Sequence, residues 1–279
     1  MSWIDLEELD QPLLQKIIEL VYKFTGITMG VGKKTLIQGR LRPRIRALGL
    51  VSYDQYIEYL NSHKDEVQEF VNLVTTNETS FFRTQRVWDF FVKEFLPLWV
   101  EQNPKKTLKI WSGAASSGEE IYTIGICCEE YLQKNPEFNY QIMGTDISSE
   151  VLATAEIGEY SGRSIESFKT TNRQIFDKYM EATEAGFRVK SNIRSKIRFG
   201  IHNLFQIPIE RKIYDIIFLR NVLIYFEAKD QEKVLSNISK GLVNEGLLII
   251  GESESLSSLQ TPFKYRLPLI YEKVEGGIG

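Results

Sequence analysis

The sequence predicts an all-helical N-terminal domain followed by an α/β domain on a mostly parallel sheet, interrupted by a small inserted β-subdomain. Three observations carry this. Residues 12–74 place apolar side chains at helical spacing and hold few strand signals. From Leu108 onward, short apolar runs alternate with helical patterns, the order that a parallel sheet with helices on both faces imposes. Between about 159 and 196 the alternation breaks for longer than an ordinary connection in such a sheet.

The elements follow in order. Leu13, Leu14, Ile17, Ile18, Leu20, Val21 and Phe24 share one side of a helix that opens at Pro12 and ends at Gly26. A second helix spans about Lys33 to Leu48 and is closed by Gly49, with Pro43 interrupting it or marking a kink. Ser52 is placed to cap a third helix through Leu60, and a fourth runs from about Lys64 to Val74. Val87, Trp88, Phe91, Phe95, Leu98 and Trp99 make 85–100 an amphipathic connecting helix. Strands are expected at Leu108–Trp111, Gln141–Thr145, Ile197–Ile201, Tyr214–Leu219 and Leu247–Gly251, and helices at Glu119–Leu132, Ser149–Ile157 and Lys229–Leu242. Phe263–Leu267 and Leu269–Val274, divided by Pro268, read as an antiparallel pair at the sheet edge. Tyr179–Lys190 holds one or two short strands of the insert. The expected division is a helical domain at 1–76, a linker and connecting helix at 77–107, and the α/β domain at 108–279 with its insert at about 159–196.

Composition narrows the function classes. The chain is 43% hydrophobic and 25% charged with a net charge of −3, so it reads as a soluble globular protein without general attraction to nucleic acid or membrane. No apolar run is long enough to span a bilayer. Met1–Asp5 carries acid where a signal peptide has a basic start, so a cytoplasmic location is expected. Cys127 and Cys128 are adjacent on a helix and point apart, which suits small core residues and offers no disulfide framework or metal site. His63 and His202 belong to no Ser-His-Asp or metal-ligand pattern. With no coiled-coil heptads, a monomer is expected.

Several segments carry chemistry. Ser112–Gly118 is a small-residue turn between a strand and a helix, where nucleotide-like ligands bind. It lacks the full GxGxxG spacing, which leaves room for an adenosine ligand without a pyrophosphate. Asp146, at the end of the second strand, stands where a ribose-binding acid is expected, or caps the helix that follows. His202-Asn203-Leu204 pairs an amide with an apolar side chain, suited to the edge and face of adenine. Thr76–Arg83 mixes hydrogen-bonding groups, two aromatics and a cation ahead of the connecting helix. Lys33, Lys34, Arg40, Arg42, Arg44 and Arg46 form the one strongly basic segment, readable as a solvated face, a nucleic-acid site, or a surface for an acidic helical protein.

Three of these motifs, Thr79-Ser80-Phe81-Phe82-Arg83, Trp111–Glu120 and Phe218–Phe226, resemble the chemotaxis receptor methyltransferases, and the likeness runs from about Phe24 to Val274. The resemblance implies a Rossmann-like methyltransferase domain using S-adenosylmethionine and releasing S-adenosylhomocysteine. It implies that Asn77, Thr79, Arg83, Glu119, Asp146, Asn203, Leu204, Leu219 and Arg220 surround that cofactor. Asp146 would hold the ribose, Asn203 and Leu204 the adenine, and Asn77, Thr79 and Arg83 the methionine end. Arg83, Arg220 and Tyr225 form the expected catalytic set, Arg220 orienting the acceptor anion and Tyr225 donating a hydrogen bond or lining the methyl path. The implied acceptor is a glutamate of the chemoreceptor's cytoplasmic helical domain, faced by Arg40, Arg42, Arg44 and Arg46. No nucleic acid partner, metal or membrane insertion is expected.

The insert would be the family's β-subdomain. Its loop, Met180–Phe187, is short with one glycine, so docking of a receptor C-terminal peptide there is not expected. Three residues depart from the family pattern: Glu252 stands in place of a usual His, Thr84 in place of a common Asp, and Gly113 in place of a frequent Ala. Two other functions fit the same motifs: methylation of another protein or a small molecule, and a non-catalytic signalling adaptor.

Overall fold

The computed structural model describes residues 8–208 and 210–274. The acidic start at Met1–Asp5 lies outside the described residues. Four helices come first. α1 (Gln11–Thr25) starts where the Asp10 carboxylate accepts the Leu13 N–H at 2.9 Å, and ends at Gly26 in the left-handed conformation. A single 3₁₀ turn (Val31–Lys33) leads into α2 (Lys34–Ala47), which continues through Pro43. α3 (Tyr53–Ser62) is capped by Ser52, as expected, and is followed by α4 (Lys64–Val74). Their apolar faces close on Leu14, Ile17, Val21, Ile37, Leu41, Tyr53, Tyr56 and Phe70, a core separate from that of the sheet.

The single connecting helix expected at 85–100 is α5 (Gln85–Phe90), a π turn (Phe91–Phe95) and α6 (Leu96–Gln102) in succession. Trp88 and Phe91 anchor it to the sheet: Trp88 stacks on Phe218 at 5.8 Å and Phe91 meets the same ring edge-on.

The sheet domain then runs β1 (Thr107–Gly113), α7 (Glu119–Leu132), β2 (Asn139–Asp146) and α8 (Ser149–Ile157). The insert holds β3 (Glu159–Tyr160), α9 (Arg163–Thr171), α10 (Arg173–Tyr179), β4 (Met180–Ala182), β5 (Phe187–Val189) and α11 (Ser191–Arg194). The sheet resumes with β6 (Ile197–Ile201), β7 (Tyr214–Leu219), a 3₁₀ turn (Leu223–Tyr225), α12 (Ala228–Ser239), β8 (Leu242–Ile250), β9 (Phe263–Leu267) and β10 (Ile270–Lys273).

The strand order is β6-β2-β1-β7-β8-β10-β9. β6, β2, β1, β7 and β8 are parallel, and β10 pairs antiparallel with both β8 and β9. The chain leaves β1 toward β2 and β6, then returns to β7 on the other side. That reversal is a topological switch point, where open α/β sheets bind ligands. Gly113 is level with both Thr145 and Leu219, so the three strands end together there.

Two details differ from the sequence reading. The helix expected to reach Leu242 stops at Ser239, and β8 begins at Leu242 rather than Leu247. A register shift opposite Tyr214/Ile216, with Glu245 left-handed, lets the strand start early and still bring Leu247–Ile250 into place. The insert carries its strands as a three-stranded antiparallel sheet ordered β3-β5-β4, but it also holds α9 and α10. Ile165, Phe168 and Phe176 are buried there, and Phe168 stacks on Phe81 at 4.7 Å. The insert thereby supports the segment that leads to Arg83.

The helical part is tied to the sheet part by named bonds. The Thr28 N–H donates to the Tyr225 carbonyl at 2.9 Å, and Asn203 Nδ2 to the Phe24 carbonyl at 3.3 Å. Asn72 Oδ1 accepts the Ser149 N–H and the Ser148 hydroxyl, each at 3.0 Å. Asn72 thus caps α8 from another part of the chain, beside the local Asp146, whose Oδ1 accepts the Ser148 N–H at 2.9 Å. Among the described residues, no helix is long and apolar enough to cross a membrane.

Candidate active site

A cleft of about 910 Å³, counting its open mouth, lies beyond the C-terminal ends of β1, β2, β6 and β7. Thr25, Ile27 and Thr75–Ser80 form its other wall. The three sequence motifs meet here although they lie far apart in the chain.

The turn after β1 is shaped by backbone contacts. Ala115 donates to the Thr145 carbonyl and Ser116 to Asp146 Oδ2, each at 2.9 Å. Ser116 Oγ donates to the Asn77 carbonyl at 2.8 Å, joining the turn to the opposite wall. Ala114 and Ser116 are both left-handed, a conformation costly for residues with a Cβ and often found where a site needs a special shape. Gly118 (φ 98°) is obligatory, because a Cβ there would stand 2.9 Å from Ala155 Cβ and from the Tyr160 hydroxyl.

Asp146 is buried beside this turn. Oδ2 accepts the Ser116 N–H and Oδ1 the Ser148 N–H, each at 2.9 Å. Burial pushes its pKa above the ordinary carboxylate value, and these backbone donors oppose the shift. Both sequence readings of Asp146 are therefore physically present: it orders the start of α8, and it faces the cleft with lone pairs to spare. His202, Asn203 and Leu204 line the same cleft. Burial lowers the His202 pKa, which keeps the imidazole neutral. The Asn203 side chain is already engaged, donating to Phe24 and accepting the Phe205 N–H at 2.9 Å.

Asn77, Thr79, Arg83, Arg220 and Tyr225 line the cleft as well. The two arginines differ. Arg220 is 5% exposed: Nη1 pairs with Glu120 Oε2 at 2.9 Å, Nη2 donates to the Arg83 carbonyl at 2.9 Å, and the group lies over the Trp88 ring. Arg83 is exposed at the rim and makes one 3.3 Å bond to the Glu78 carbonyl. Arg83 thus keeps most of its donors for a ligand, whereas Arg220 is built into the wall.

Two expected contacts fall elsewhere. Glu119 does not line the cleft; it is buried against Ser117 Oγ (2.7 Å) and Ser164 Oγ (3.4 Å), and burial raises its pKa. Successive residues on a helix point about 100° apart, so its neighbour Glu120 takes the cleft position, bonded to Ser112 Oγ and Arg220. Leu219 is fully buried in β7 and packs against Gly113 instead of reaching the cleft. Glu120 was missed by the sequence reading, although a buried arginine at 220 calls for a nearby carboxylate.

The four arginines of the basic helix also divide. Arg44 binds the buried Glu66 through Nε (3.0 Å) and Nη2 (2.6 Å), and Arg40 donates to the Val74 and Thr75 carbonyls at 3.0 and 2.7 Å. Both hold the helical part together. Arg42 lies beside the buried Tyr53 hydroxyl, and Arg46 is exposed. Cys127 and Cys128 are both buried, and burial pushes the Cys127 thiol up to about 12.

Comparison with known proteins agrees with this geometry. Residues 77–267 match the family model described as CheR methyltransferase, SAM binding domain, and residues 12–75 match CheR methyltransferase, all-alpha domain. The chain is 32% identical over 269 residues to a chemotaxis protein methyltransferase of Borreliella burgdorferi, covering 93% of each. It is 33% identical over 269 residues to that of Salmonella typhimurium, covering 92% of this chain and 88% of the relative. It is 31% identical over 268 residues to that of Escherichia coli, covering 92% and 89%. The chain belongs to the CheR methyltransferase family, and S-adenosylmethionine is the cofactor of its sheet domain.

Proposed function

We propose that this chain transfers a methyl group from S-adenosylmethionine to glutamate side chains of chemoreceptors, giving glutamate methyl esters. The observation that supports this most is the set of side chains that one cleft brings together. It offers a buried carboxylate and an apolar side chain suited to adenosine, together with an exposed arginine and a phenol.

The residues present fit the cofactor. Asp146 would accept the ribose hydroxyls with the lone pairs its backbone donors leave free. Leu204 and the backbone around Asn203 would bound the adenine, since the Asn203 amide is committed elsewhere. Asn77, Thr79 and Arg83 would hold the amino-acid end. Bound S-adenosylmethionine supplies a methyl group on a positive sulfur.

The chain's own work is placement. A glutamate with pKa about 4.3 is ionised at neutral pH and needs no general base. Arg83, exposed at the rim, would orient the acceptor carboxylate, the role first expected of Arg220. The Glu120–Arg220 pair would keep that wall rigid and polar. Tyr225 would line the methyl path or donate to the acceptor. Most of the acceleration then comes from alignment and exclusion of water. Arg42 and Arg46, with Lys33, are the basic-helix cations left to meet an acidic receptor helix.

The test is transfer of labelled methyl to receptor cytoplasmic fragments, followed by mild alkali. Base-labile label on the receptor supports a carboxyl ester. Cofactor binding without label on any receptor fragment moves the substrate elsewhere.

A further inference from the structure

Gly251-Glu252-Ser253-Glu254 follows β8, close in space to the segment after β7. Its two acids have different surroundings. Glu252 is exposed and pairs with Arg86 at 3.2 Å. Glu254 is 9% exposed and has no cationic partner among the described residues. Its carboxylate is instead met by backbone N–H groups from two segments. Oε1 accepts from Val222 and Leu223, each at 2.8 Å. Oε2 accepts from Asn221 at 3.0 Å and from Gly251.

Three consecutive amides converge on one carboxylate only if the backbone turns sharply, and Asn221 is left-handed to allow it (φ 58°). The 3₁₀ turn that follows ends at Tyr225, so its first donors are satisfied by a residue about thirty positions away. From the other side, Gln231 Nε2 donates to the Leu223 and Phe226 carbonyls at 3.1 and 2.9 Å. Gly251 is needed for the approach: a Cβ would stand 2.7 Å from the Asn221 nitrogens and 2.8 Å from Glu254 Oε2. Burial raises the Glu254 pKa, and the four amides work against that shift.

We infer that Glu254 is a positioning residue for methyl transfer: its carboxylate sets the main chain of Asn221–Leu223 and so places Tyr225 at the cleft. Glu254 does not itself line the cleft, whereas Arg220, Asn221, Val222 and Tyr225 do. The inference rests on the reading of Tyr225 as an acceptor-side residue.

Glu254→Gln keeps the size and turns an amide donor toward backbone donors. Expected is a fall in kcat of about 10- to 100-fold, the scale of a 1 Å misplacement, with S-adenosylhomocysteine affinity by calorimetry within about twofold of wild type. Tyr225→Phe should add little to Glu254→Gln, because the phenol is already displaced. Unchanged kcat, a parallel loss of cofactor affinity, or fully multiplicative effects would overturn the inference. Should Glu254→Gln not fold, amide exchange in the wild type decides: slow exchange at 221–223 supports the carboxylate's hold, and solvent-like exchange refutes it. That second arm needs no acceptor. Failure of wild-type transfer to receptor fragments therefore counts against the proposed function, and failure of protection counts against the role of Glu254.

Discussion

Glu66 in the helical part and Glu254 beside the cleft are both buried, at 3% and 9% exposure, but their surroundings satisfy them differently. Glu66 is met by side chains: Nε and Nη2 of Arg44 and the Tyr56 hydroxyl at 2.9 Å. Glu254, like Asp146, is met by backbone N–H groups. A side-chain partner locks one helix against another and leaves each backbone as it was. A backbone partner dictates the path of the loop itself. The helical part uses Glu66 for packing, while in the sheet part Asp146 and Glu254 shape the walls of a ligand site.

The largest expected effect tests the packing half of that contrast. Arg44→Ala leaves Glu66 buried without its cation and should cost about 2–3 kcal/mol in denaturant unfolding, the lower range for a broken buried pair because solvent reaches Arg44. A loss well under 1 kcal/mol would mean that Glu66 escapes to water, and the contrast would weaken.

The next effect tests the shaping half. Asp146→Asn turns a donor against the amide of Ser116 or Ser148 while keeping the volume. S-adenosylhomocysteine should bind about 100-fold more weakly by calorimetry, a larger loss than the roughly 1 kcal/mol expected in unfolding free energy from the amide left without its acceptor. Equal losses in both would place Asp146 with Glu66 as a packing residue.

A smaller effect concerns the cations that packing leaves over. Arg46→Glu should raise KM for an acidic receptor fragment by about threefold at low salt and by less at high salt, leaving kcat unchanged. A rise indifferent to salt would argue against a charge-steered surface.

The smallest effect concerns His202. Burial lowers its pKa, so on acidification the unfolded chain takes up the proton first. The stability it contributes is complete above the ordinary value of about 6.5 and is lost as pH falls through the lower folded value. Between about pH 7 and about pH 5, wild type should lose about 1 °C more in Tm than His202→Gln. An identical pH profile would show that the imidazole reaches water in the folded state.

Much of this was legible in the linear chain. The four N-terminal helices, the five parallel strands and the edge pair follow from apolar spacing of 3.6 or 2 and from turn residues such as Gly26 and Ser52, because these report on a few neighbours at a time. The helical content of the insert was less legible, since α9 and α10 are short and bury only Ile165, Phe168, Phe176 and Tyr179. The cleft was located by motif, and Asn77, Thr79, Arg83, Asp146, Asn203, Leu204, Arg220 and Tyr225 all line it.

By itself, the sequence determined the order and kind of the elements and the segments that would meet at the switch point. Only the tertiary structure decided which side chain in each segment is free. Glu120 faces the cleft and Glu119 does not, Arg83 keeps most of its donors while both Nη atoms of Arg220 are bonded within the wall, and Asn72 caps α8 from the helical part. The reason is range. A helix or strand is set by residues within a turn or two, but Arg220 meets Glu120 across 100 positions and Asn72 meets Ser149 across 77. Such partners are chosen by strand order and domain packing, and those are set by the whole chain at once.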